Sequence, residues 1–359
     1  MSERKIAIIG ASGVVGRALL EFLAGEDESV VGLSRRRPAD LNATFFPLDL
    51  RDQDNCIDLT RSEFSDVTHL IYTALCEKPG LIAGWHDADQ METNLVMLQN
   101  ILEPLRQSSK LRHITLLQGT KAYGAHVEPM KIPGLEREPR HIHQNFYWLQ
   151  QDYLADFCEA TNRTFTIWRP QIIFGHALNA PMNMLNAIGL YATIMQARDQ
   201  PLIYPGGPSA VSEAIDADLL ARAIRFSLDN SDFENETFNI TNGDVFRWED
   251  IWQDLAGLFN IQAGGNSQQR LSNWIYDCEG EWQDIVTANN LKPYSIREIA
   301  GDSFFYADAL FNAYAETAPP PSLVSTIKLR QAGFHDCIDT LAMFEKWFNK
   351  LRLLNVIPA

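Results

Sequence analysis

The chain opens with an apolar run, a glycine-rich loop and an amphipathic stretch, and this order restricts the fold more than any other feature. Lys5–Ile9 has the pattern of a buried strand, Gly10-Ala11-Ser12-Gly13-Val14-Val15-Gly16 follows it directly, and Val14–Ala24 has the pattern of a helix. Glycines at such places permit a tight turn, a close approach of the backbone to a pyrophosphate and close packing of helix on strand. The pyrophosphate would rest on free N–H groups at the start of the helix. We therefore predict a dinucleotide site formed by Gly10, Ser12, Gly13, Val14, Val15 and Gly16.

Strands and helices then alternate through the first half of the chain. Further strands are predicted at Ser29–Leu33, Phe45–Asp49, His69–Thr73, His113–Leu117 and Phe165–Arg169, and helices at Met91–Gln107 and Asn145–Thr161. The strand runs are continuously apolar, as strands covered on both faces require. We predict an α/β fold, a Rossmann-type doubly wound parallel sheet with a smaller, mainly helical C-terminal substrate lobe.

The pattern changes after Gly175. A helix is predicted at Met184–Gln196, a Pro/Gly-rich segment follows, and helices rich in Trp and Phe dominate from Arg247 onward. The helix Asp216–Leu228 and the strand Thr237–Ile240 are predicted to return to the sheet. With 359 residues the chain exceeds the usual size of one domain. We predict a cofactor-binding domain of residues 1–175 plus 212–245, and a discontinuous substrate-binding lobe of residues 176–211 and 246–359.

Three consecutive arginines, Arg35-Arg36-Arg37, follow the second strand. An acidic residue at this place binds the ribose 2′-hydroxyl of NAD, whereas basic residues accommodate the 2′-phosphate of NADP. The chain has 46 acidic against 30 basic residues and a formal charge of −16, so an anionic cofactor needs a local basic site. Because guanidinium groups match a phosphate in bidentate fashion, we predict NADP(H) as the cofactor, bound by Ser34, Arg35 and Arg36. The alternative is a solvated charge run on a loop.

The predicted cofactor site extends beyond the second strand. Asp49, at the end of the third strand, either contacts the adenine ring or caps a helix. The remaining predicted cofactor contacts are Leu50, Thr73, Ala74, Gln118 and Ile173.

The acidic balance also excludes classes of partner. A surface of this charge repels phosphate backbones and anionic membranes, so we expect no nucleic-acid and no membrane partner. No apolar run approaches the length of a membrane span. The five cysteines are scattered, and the N-terminus leads into the first strand without room for a signal peptide, so we expect a cytoplasmic protein with reduced thiols. We expect a homodimer only because dimers are the commonest assemblies among soluble homo-oligomers.

The glycine pattern, the His69–Thr73 strand and the segment Trp168-Arg169-Pro170-Gln171-Ile172-Ile173-Phe174-Gly175 together resemble the extended short-chain dehydrogenase/reductases. That superfamily ordinarily carries Tyr-x-x-x-Lys on a helix, which places the lysine one turn after the tyrosine on the same face. Tyr147 begins the matching helix here, but Gln151 stands where the lysine is expected. Another lysine, Lys121, follows the fifth strand.

A lysine after this strand is similar to the arrangement in the progesterone 5β-reductase/iridoid synthase-like family. Asn145-Phe146-Tyr147-Trp148 and the segment Phe238–Trp248 also resemble that family. The resemblance implies an enzyme that uses NADPH for the 1,4-reduction of the C=C bond of a small enone or enal. It implies that the phenol of Tyr147 stabilises the enolate oxygen, and that Lys121 holds the phenol and lowers its pKa. In isolation Tyr147 would read as a core tyrosine and Lys121 as a surface lysine.

Two other functions share this fold. A nucleotide-sugar epimerase or dehydratase would normally keep Tyr-x-x-x-Lys, and a non-catalytic NADP-sensing regulator would be expected to lose Tyr147. No metal site is predicted, because no third ligand accompanies His141-x-His143.

The lining of the substrate pocket is not predicted from the sequence. Plant members of the family carry a tryptophan near the substrate where this chain has Leu75, which implies a differently shaped pocket. Met182, Met184 and Phe304-Phe305-Tyr306 fit either a pocket lining or the core.

Overall fold

Strands and helices alternate along the chain in the computed structural model, which describes residues 4–26, 28–38, 41–79 and 81–359. The strands are β1 (Lys5–Ile9), β2 (Ser29–Ser34), β3 (Thr44–Pro47), β4 (His69–Tyr72), β5 (His113–Leu117), β6 (Thr164–Pro170), β7 (Ile172–Phe174), β8 (Leu202–Tyr204), β9 (Ala214–Asp216), β10 (Glu236–Ile240) and β11 (Ala263–Asn266). The helices are α1 (Val14–Gly25), α2 (Gln53–Glu63), α3 (Ala88–Leu102), α4 (Phe146–Thr161), α5 (Met184–Ala197), α6 (Ala217–Ser227), α7 (Trp248–Gly257), α8 (Glu279–Asn289), α9 (Ile296–Ala300), α10 (Ser303–Leu310), α11 (Ile327–Gln331) and α12 (Thr340–Leu353).

The main sheet has seven parallel strands in the order β3-β2-β1-β4-β5-β6-β10. The chain therefore runs outward from β1 to β3 on one side and then returns to β4 on the other. Ile6 of β1 pairs with Val30 of β2 and with His69 of β4, at the point where the strand order reverses. Open α/β sheets bind ligands beyond the carboxyl ends of the strands at such a point. The predicted doubly wound sheet is confirmed.

Both faces of the sheet are covered, which explains why its strands are continuously apolar. On one face Ala7 and Ile9 belong to a hydrophobic cluster that includes side chains of α2, α3 and α4. On the other face Ile6 and Ile8 belong to a cluster with α1 and α6, and these two helices pack on each other. This second cluster continues into α5 and the C-terminal helices, so the two predicted domains share one core. Their exact boundaries stay a prediction.

The C-terminal lobe is built around α5. Every residue of this helix from Met184 to Met195 is buried, as expected for a helix with neighbours on all sides. Pairs of short parallel strands, β7 with β9 and β8 with β11, lie beside the main sheet. Across the described ranges, no helix combines the length and the apolar character that a bilayer crossing requires.

Candidate active site

A cleft of about 610 Å³ lies beyond the carboxyl ends of the central strands. Thirteen of the predicted cofactor residues line it: Gly10, Ser12, Gly13, Val14, Val15, Ser34, Arg35, Asp49, Leu50, Thr73, Ala74, Gln118 and Ile173. The two predicted catalytic residues, Tyr147 and Lys121, line the same cleft. Gly16 and Arg36 are the two predicted site residues that do not line it. The fold thus brings together side chains that the sequence distributes over separate strand ends.

The glycine-rich loop is held tightly against the sheet. Gly10 has a φ of +89°, a left-handed conformation that favours glycine, and its N–H donates to the Leu33 carbonyl at 2.8 Å. A Cβ atom on Gly16 would lie 2.3 Å from the Gly10 carbonyl oxygen. Gly16 therefore serves the close packing of α1 on β1, which is one of the three glycine roles that the motif predicts. Its predicted contact with the cofactor stays a prediction.

The first turn of α1 has the properties of an anion site. Gly13 is the N-cap residue, and no side chain of the described residues caps this end of the helix. The first N–H groups of a helix have no partner within it, and the helix dipole makes this end positive. A Cβ atom on Gly13 would meet only the Gly10 carbonyl oxygen, at 3.3 Å, so the missing side chain leaves the cleft open at this place. These features fit a pyrophosphate group.

Two arginines lie at the adenosine end of the predicted cofactor site. Arg35 lines the cleft, and so does Arg51, which was not among the predicted site residues. Arg36 is exposed and lies outside the cleft lining, while Arg37 donates to the carbonyl of Leu41. Arg51 could have been found from the sequence, because it follows Asp49 by two residues just beyond the end of β3.

Asp49 connects this basic pair. Arg51 donates to both carboxylate oxygens, with 3.0 Å between Nε and Oδ1 and 2.6 Å between Nη2 and Oδ2. The hydrogen bond from Arg51 lowers the pKa of Asp49, and the charge of Arg35 contributes a smaller lowering. Asp49 does not cap the following helix, because Asp52 does so by accepting from the N–H of Asn55. Of the two interpretations offered for Asp49, the helix cap is therefore wrong.

Tyr147 enters the cleft from the first turn of α4, and Asn145 fixes that turn. The Asn145 side chain accepts from the Tyr147 N–H at 3.0 Å and donates to the Lys121 carbonyl at 3.0 Å. One buried amide therefore couples the backbones of the two predicted catalytic residues. Asn145 belongs to the motif Asn145-Phe146-Tyr147-Trp148, but no role was predicted for its side chain.

The hydroxyl of Tyr147 has no hydrogen-bond partner among the described side chains and is available to a ligand. It lies beside the turn after β5, since a Cβ atom on Gly119 would be 3.4 Å from it. Burial raises the pKa of Tyr147, and the nearby carboxylate of Glu77 adds to this effect. This direction is opposite to the lowering that we expected from Lys121, because burial dominates. The phenol consequently keeps its proton and can donate it.

Lys121 lies in the 3₁₀ turn Thr120–Tyr123, directly after β5. Its Nζ is 3.6 Å from the centroid of the Trp85 ring and 3.8 Å from Oε1 of Glu77. Burial lowers the pKa of Lys121 to about 8, and the charge of Glu77 opposes this lowering. In the described parts of the chain no hydrogen bond joins Lys121 to Tyr147. The polarisation of Tyr147 by Lys121 therefore stays a prediction.

The helix position that normally carries the lysine has a structural role here. Gln118 donates to Oε1 of Gln151 at 3.0 Å and to the Tyr147 carbonyl at 3.2 Å. Oε1 of Gln118 accepts from Nε of Arg169 at 2.9 Å. These amides, of which Gln118 is buried, connect the end of β5 with α4 and β6. Gln151 therefore supports the wall of the cleft, and Lys121 is the cation at this end.

The other end of the cleft is largely apolar. Leu75, Trp85, Met182, Tyr306 and Leu310 contribute to its lining. Met182 and Tyr306 were among the residues that fitted either pocket or core, whereas Met184 is fully buried in the core. Trp85 lies ten residues after Leu75 in the same connection between β4 and α3. It therefore supplies an indole to the cleft although position 75 holds a leucine. Apolar walls with few polar groups are typical of small-molecule sites.

His141 and His143 take part in hydrogen bonds beside this site. Their Nδ1 atoms are 2.9 Å apart, and Nε2 of His143 is 3.1 Å from the Lys121 carbonyl oxygen. Nε2 of His141 bonds to Glu128. Within the described ranges, no group of three or more His, Cys, Asp or Glu residues is arranged to hold a metal ion.

The fold and the cleft define a dinucleotide-binding protein of the Rossmann type. The model of the NAD dependent epimerase/dehydratase family matches residues 6–241, and the chain belongs to this family. It is an oxidoreductase of the extended short-chain dehydrogenase/reductase superfamily.

Curated relatives are similar over almost the whole chain. An (S)-8-oxocitronellyl enol synthase of Catharanthus roseus is 30% identical, and the match covers 98% of this chain and 92% of the relative. A 3-oxo-Delta(4,5)-steroid 5-beta-reductase of Arabidopsis thaliana is 29% identical, with 99% and 94% covered. The predicted resemblance to the progesterone 5β-reductase/iridoid synthase-like family is confirmed.

Solved structures confirm the fold. A UDP-glucose 4-epimerase of Thermotoga maritima superimposes with a TM-score of 0.69 at 15% identity and covers 97% of this chain and 99% of its own. The Thermus thermophilus UDP-glucose 4-epimerase in complex with NAD has a TM-score of 0.67 at 15% identity, with 97% and 99% covered. At this identity the likeness concerns the fold alone.

Proposed function

We propose that the protein is an NADPH-dependent reductase of the C=C bond of an activated enone or enal. The observation that carries this proposal is that Tyr147 and Lys121, from separate segments, line the same cleft as the glycine-rich loop. The relatives named as an enol synthase and a steroid 5-beta-reductase support it. The structural use of Gln151 argues against an epimerase, which normally needs a lysine at that position.

The residues present fit NADP(H). The uncapped first turn of α1 would hold the pyrophosphate, and Arg35 with Arg51 would hold the 2′-phosphate in a chain that is otherwise strongly acidic. When bound, NADPH supplies the hydride. Arg36 keeps its predicted role only if its exposed side chain turns toward the cofactor.

Tyr147 is the group that we assign to the substrate carbonyl. As the β-carbon of the substrate gains hydride, negative charge develops on the carbonyl oxygen, and the Tyr147 hydroxyl donates a hydrogen bond to that oxygen. The Tyr147 side chain is half-buried in the wall of the cleft and its hydroxyl has no partner among the described side chains, so it is preorganised for this contact. Lys121 adds a positive charge at the same end of the cleft. The apolar side chains around Trp85 and Met182 exclude water and strengthen both interactions.

A substrate panel tests the proposal. Purified protein should consume NADPH with cyclic enones and enals, and product analysis should show reduction of the C=C bond and not of the C=O bond. Tyr147→Phe should lower kcat by about 10²–10³, the usual cost of removing one donor to a developing oxyanion. Lys121→Met should also lower kcat while the Kd of NADPH stays within about tenfold.

Matched controls lie outside the cleft. Tyr153 is on the same helix and its hydroxyl bonds to Glu103, and Lys131 is a surface lysine paired with Glu138, so Tyr153→Phe and Lys131→Met should keep full activity. Exclusive C=O reduction, or full activity in Tyr147→Phe, would refute the mechanism.

The homodimer stays a prediction that light scattering can check.

A further inference from the structure

Glu77 is a buried carboxylate in the cleft to which the proposed mechanism assigns no role. Its side chain is only 2% exposed, and it lines the cleft. Oε1 has no hydrogen-bond partner among the described residues. A buried carboxylate oxygen without a partner is unfavourable unless a cation lies near it, and Nζ of Lys121 is 3.8 Å away.

The carboxylate is held in place from α3. Nε2 of Gln90 donates to Oε2 of Glu77 at 2.6 Å, and Oε1 of Gln90 accepts from the Lys78 N–H at 2.8 Å. Asn94, one turn later, accepts from the Cys76 N–H and donates to the Cys76 carbonyl, both at 2.9 Å. Gln90 and Asn94 are both buried. The side-chain amides of Gln90 and Asn94 therefore fix the backbone on either side of Glu77, and Gln90 also holds Oε2. The other carboxylate oxygen, Oε1, faces Lys121.

The ammonium of Lys121 is enclosed by two side chains of the connection between β4 and α3. The face of the Trp85 ring lies 3.6 Å from Nζ, a distance at which the ring attracts a cation. Glu77 lies earlier in the same β4–α3 connection, and Lys121 itself is in the turn after β5. One connection thus supplies both an aromatic face and a carboxylate to a lysine that comes from another strand end.

We propose that Glu77 is the resident counter-ion of Lys121 and that, together with the Trp85 ring, it positions the ammonium in the cleft and keeps it charged. Glu77 is a positioning residue in this proposal, because it acts through Lys121. The consequence for turnover rests on the proposed function, but the ion pair itself does not.

Charge and burial act in opposite directions on this pair. Burial lowers the pKa of Lys121 and raises the pKa of Glu77, so that burial alone favours the neutral forms of both. The attraction between the two groups opposes the shift in each partner. Without the carboxylate the ammonium would therefore lose its proton at a lower pH.

The other titratable groups of the cleft near Lys121 do not replace this carboxylate. Burial lowers the pKa of His126 to about 4, with the charge of Lys121 contributing, so its imidazole is neutral at pH 7. Burial raises the pKa of Tyr147 and of Tyr306, so both phenols are neutral as well. Glu213 also lines the cleft, but it is engaged with Gln171 and with the N–H of Val324.

The pKa of Lys121 can be measured without any substrate. Trace labelling of the full-length protein with acetic anhydride across a pH series, followed by peptide mass spectrometry, reports the titration of each lysine. We expect Lys121 to titrate near 8 in the parent protein and at least about one unit lower in Glu77→Gln. Glu92→Gln is the matched control, because Glu92 is an exposed acid on α3 outside the cleft lining. In Glu92→Gln the titration of Lys121 should not move.

An unchanged titration of Lys121 in folded Glu77→Gln overturns the counter-ion proposal. If Glu77→Gln does not fold, the pair is tested from the other side: in Lys121→Met with ¹³C-labelled glutamate, the carboxyl of Glu77 should titrate at a higher pH, and an unchanged titration overturns the proposal equally. The proposed function fails separately, if the parent protein reduces no enone or enal. With an active substrate, the alkaline limb of kcat should move to lower pH in Glu77→Gln, which a merely structural role would not produce.

Discussion

The contact between α1 and β1 can be tested by adding one methyl group at Gly16. A Cβ atom there would lie 2.3 Å from the carbonyl oxygen of Gly10 and 2.8 Å from Oγ1 of Thr73. The nearest atom belongs to the backbone and cannot rotate away. Restoring a 3.0 Å separation requires α1 to move by roughly 0.7 Å from the strand. Overpacking of this kind costs about 1–3 kcal/mol, and we expect Gly16→Ala to lower the free energy of unfolding by that amount.

The same shift should weaken cofactor binding, because α1 carries the N–H groups that we assign to the pyrophosphate. We expect the Kd of NADPH to rise by about tenfold or more in Gly16→Ala, which corresponds to about 1.4 kcal/mol. Urea unfolding followed by circular dichroism gives the stability, and titration of tryptophan fluorescence gives the Kd. Each assay is run on the same preparation.

Two other glycines provide the controls. Gly25, at the end of the same helix, has no atom within 4 Å of an added Cβ, so Gly25→Ala should be neutral or stabilising by up to about 1 kcal/mol. Gly13→Ala would meet only the Gly10 carbonyl oxygen, at 3.3 Å, so it should fold with little loss while NADPH binding weakens. If Gly16→Ala unfolds at the same urea concentration as the parent and binds NADPH equally well, the packing argument is wrong.

Two further predictions concern charge. Arg35→Leu and Arg51→Leu should each raise the Kd of NADPH by about tenfold and leave that of NADH unchanged, whereas Arg37→Leu should change neither; equal losses for both cofactors would refute the assignment of the 2′-phosphate. Burial lowers the pKa of His113 to about 4 and of His69 to about 3, from 6.5 in the unfolded chain, so both rings are neutral in the folded protein. The contribution of these two rings to the free energy of unfolding should therefore be fully present above about pH 6.5 and be lost as the pH decreases toward 4. In urea unfolding, the free energy of unfolding of His113→Gln should depend less on pH over this range than that of the parent. His335→Gln, which changes an exposed histidine, should show the same pH dependence as the parent.

The sheet could be predicted from the sequence because a strand buried on both faces leaves an unbroken apolar run. Lys5–Ile9 and His113–Leu117 were predicted with the bounds that the structure shows for β1 and β5. The helix α2 was missed because only Cys56 and Thr60 of it are buried, so it carries almost no apolar periodicity. The start of α3 was placed at Met91, but Asp87 caps the helix and begins it at Ala88.

The site could be predicted only where a local motif marks it. The glycine loop and Tyr147 are recognisable because their role depends on neighbours in the chain. Glu77 contributes through its proximity to Lys121, which lies far along the sequence, and no local spacing reports such a contact. The connection between β4 and α3 holds Glu77 through amides that look like ordinary polar helix residues in the sequence.

The relocation of the lysine has a physical consequence for the rest of the cleft. A lysine one turn after the tyrosine is positioned by the helix itself, which is rigid. A lysine on a short turn must be restrained by its surroundings, since its four-carbon stem is flexible. The structure restrains the Lys121 backbone through Asn145 and His143, and its ammonium through Trp85 and Glu77. Moving the lysine back to the helix, in the double variant Gln151→Lys with Lys121→Met, should therefore not restore activity. Gln118 would lose the side-chain amide of Gln151 as an acceptor, and Glu77 would stay buried without its cation.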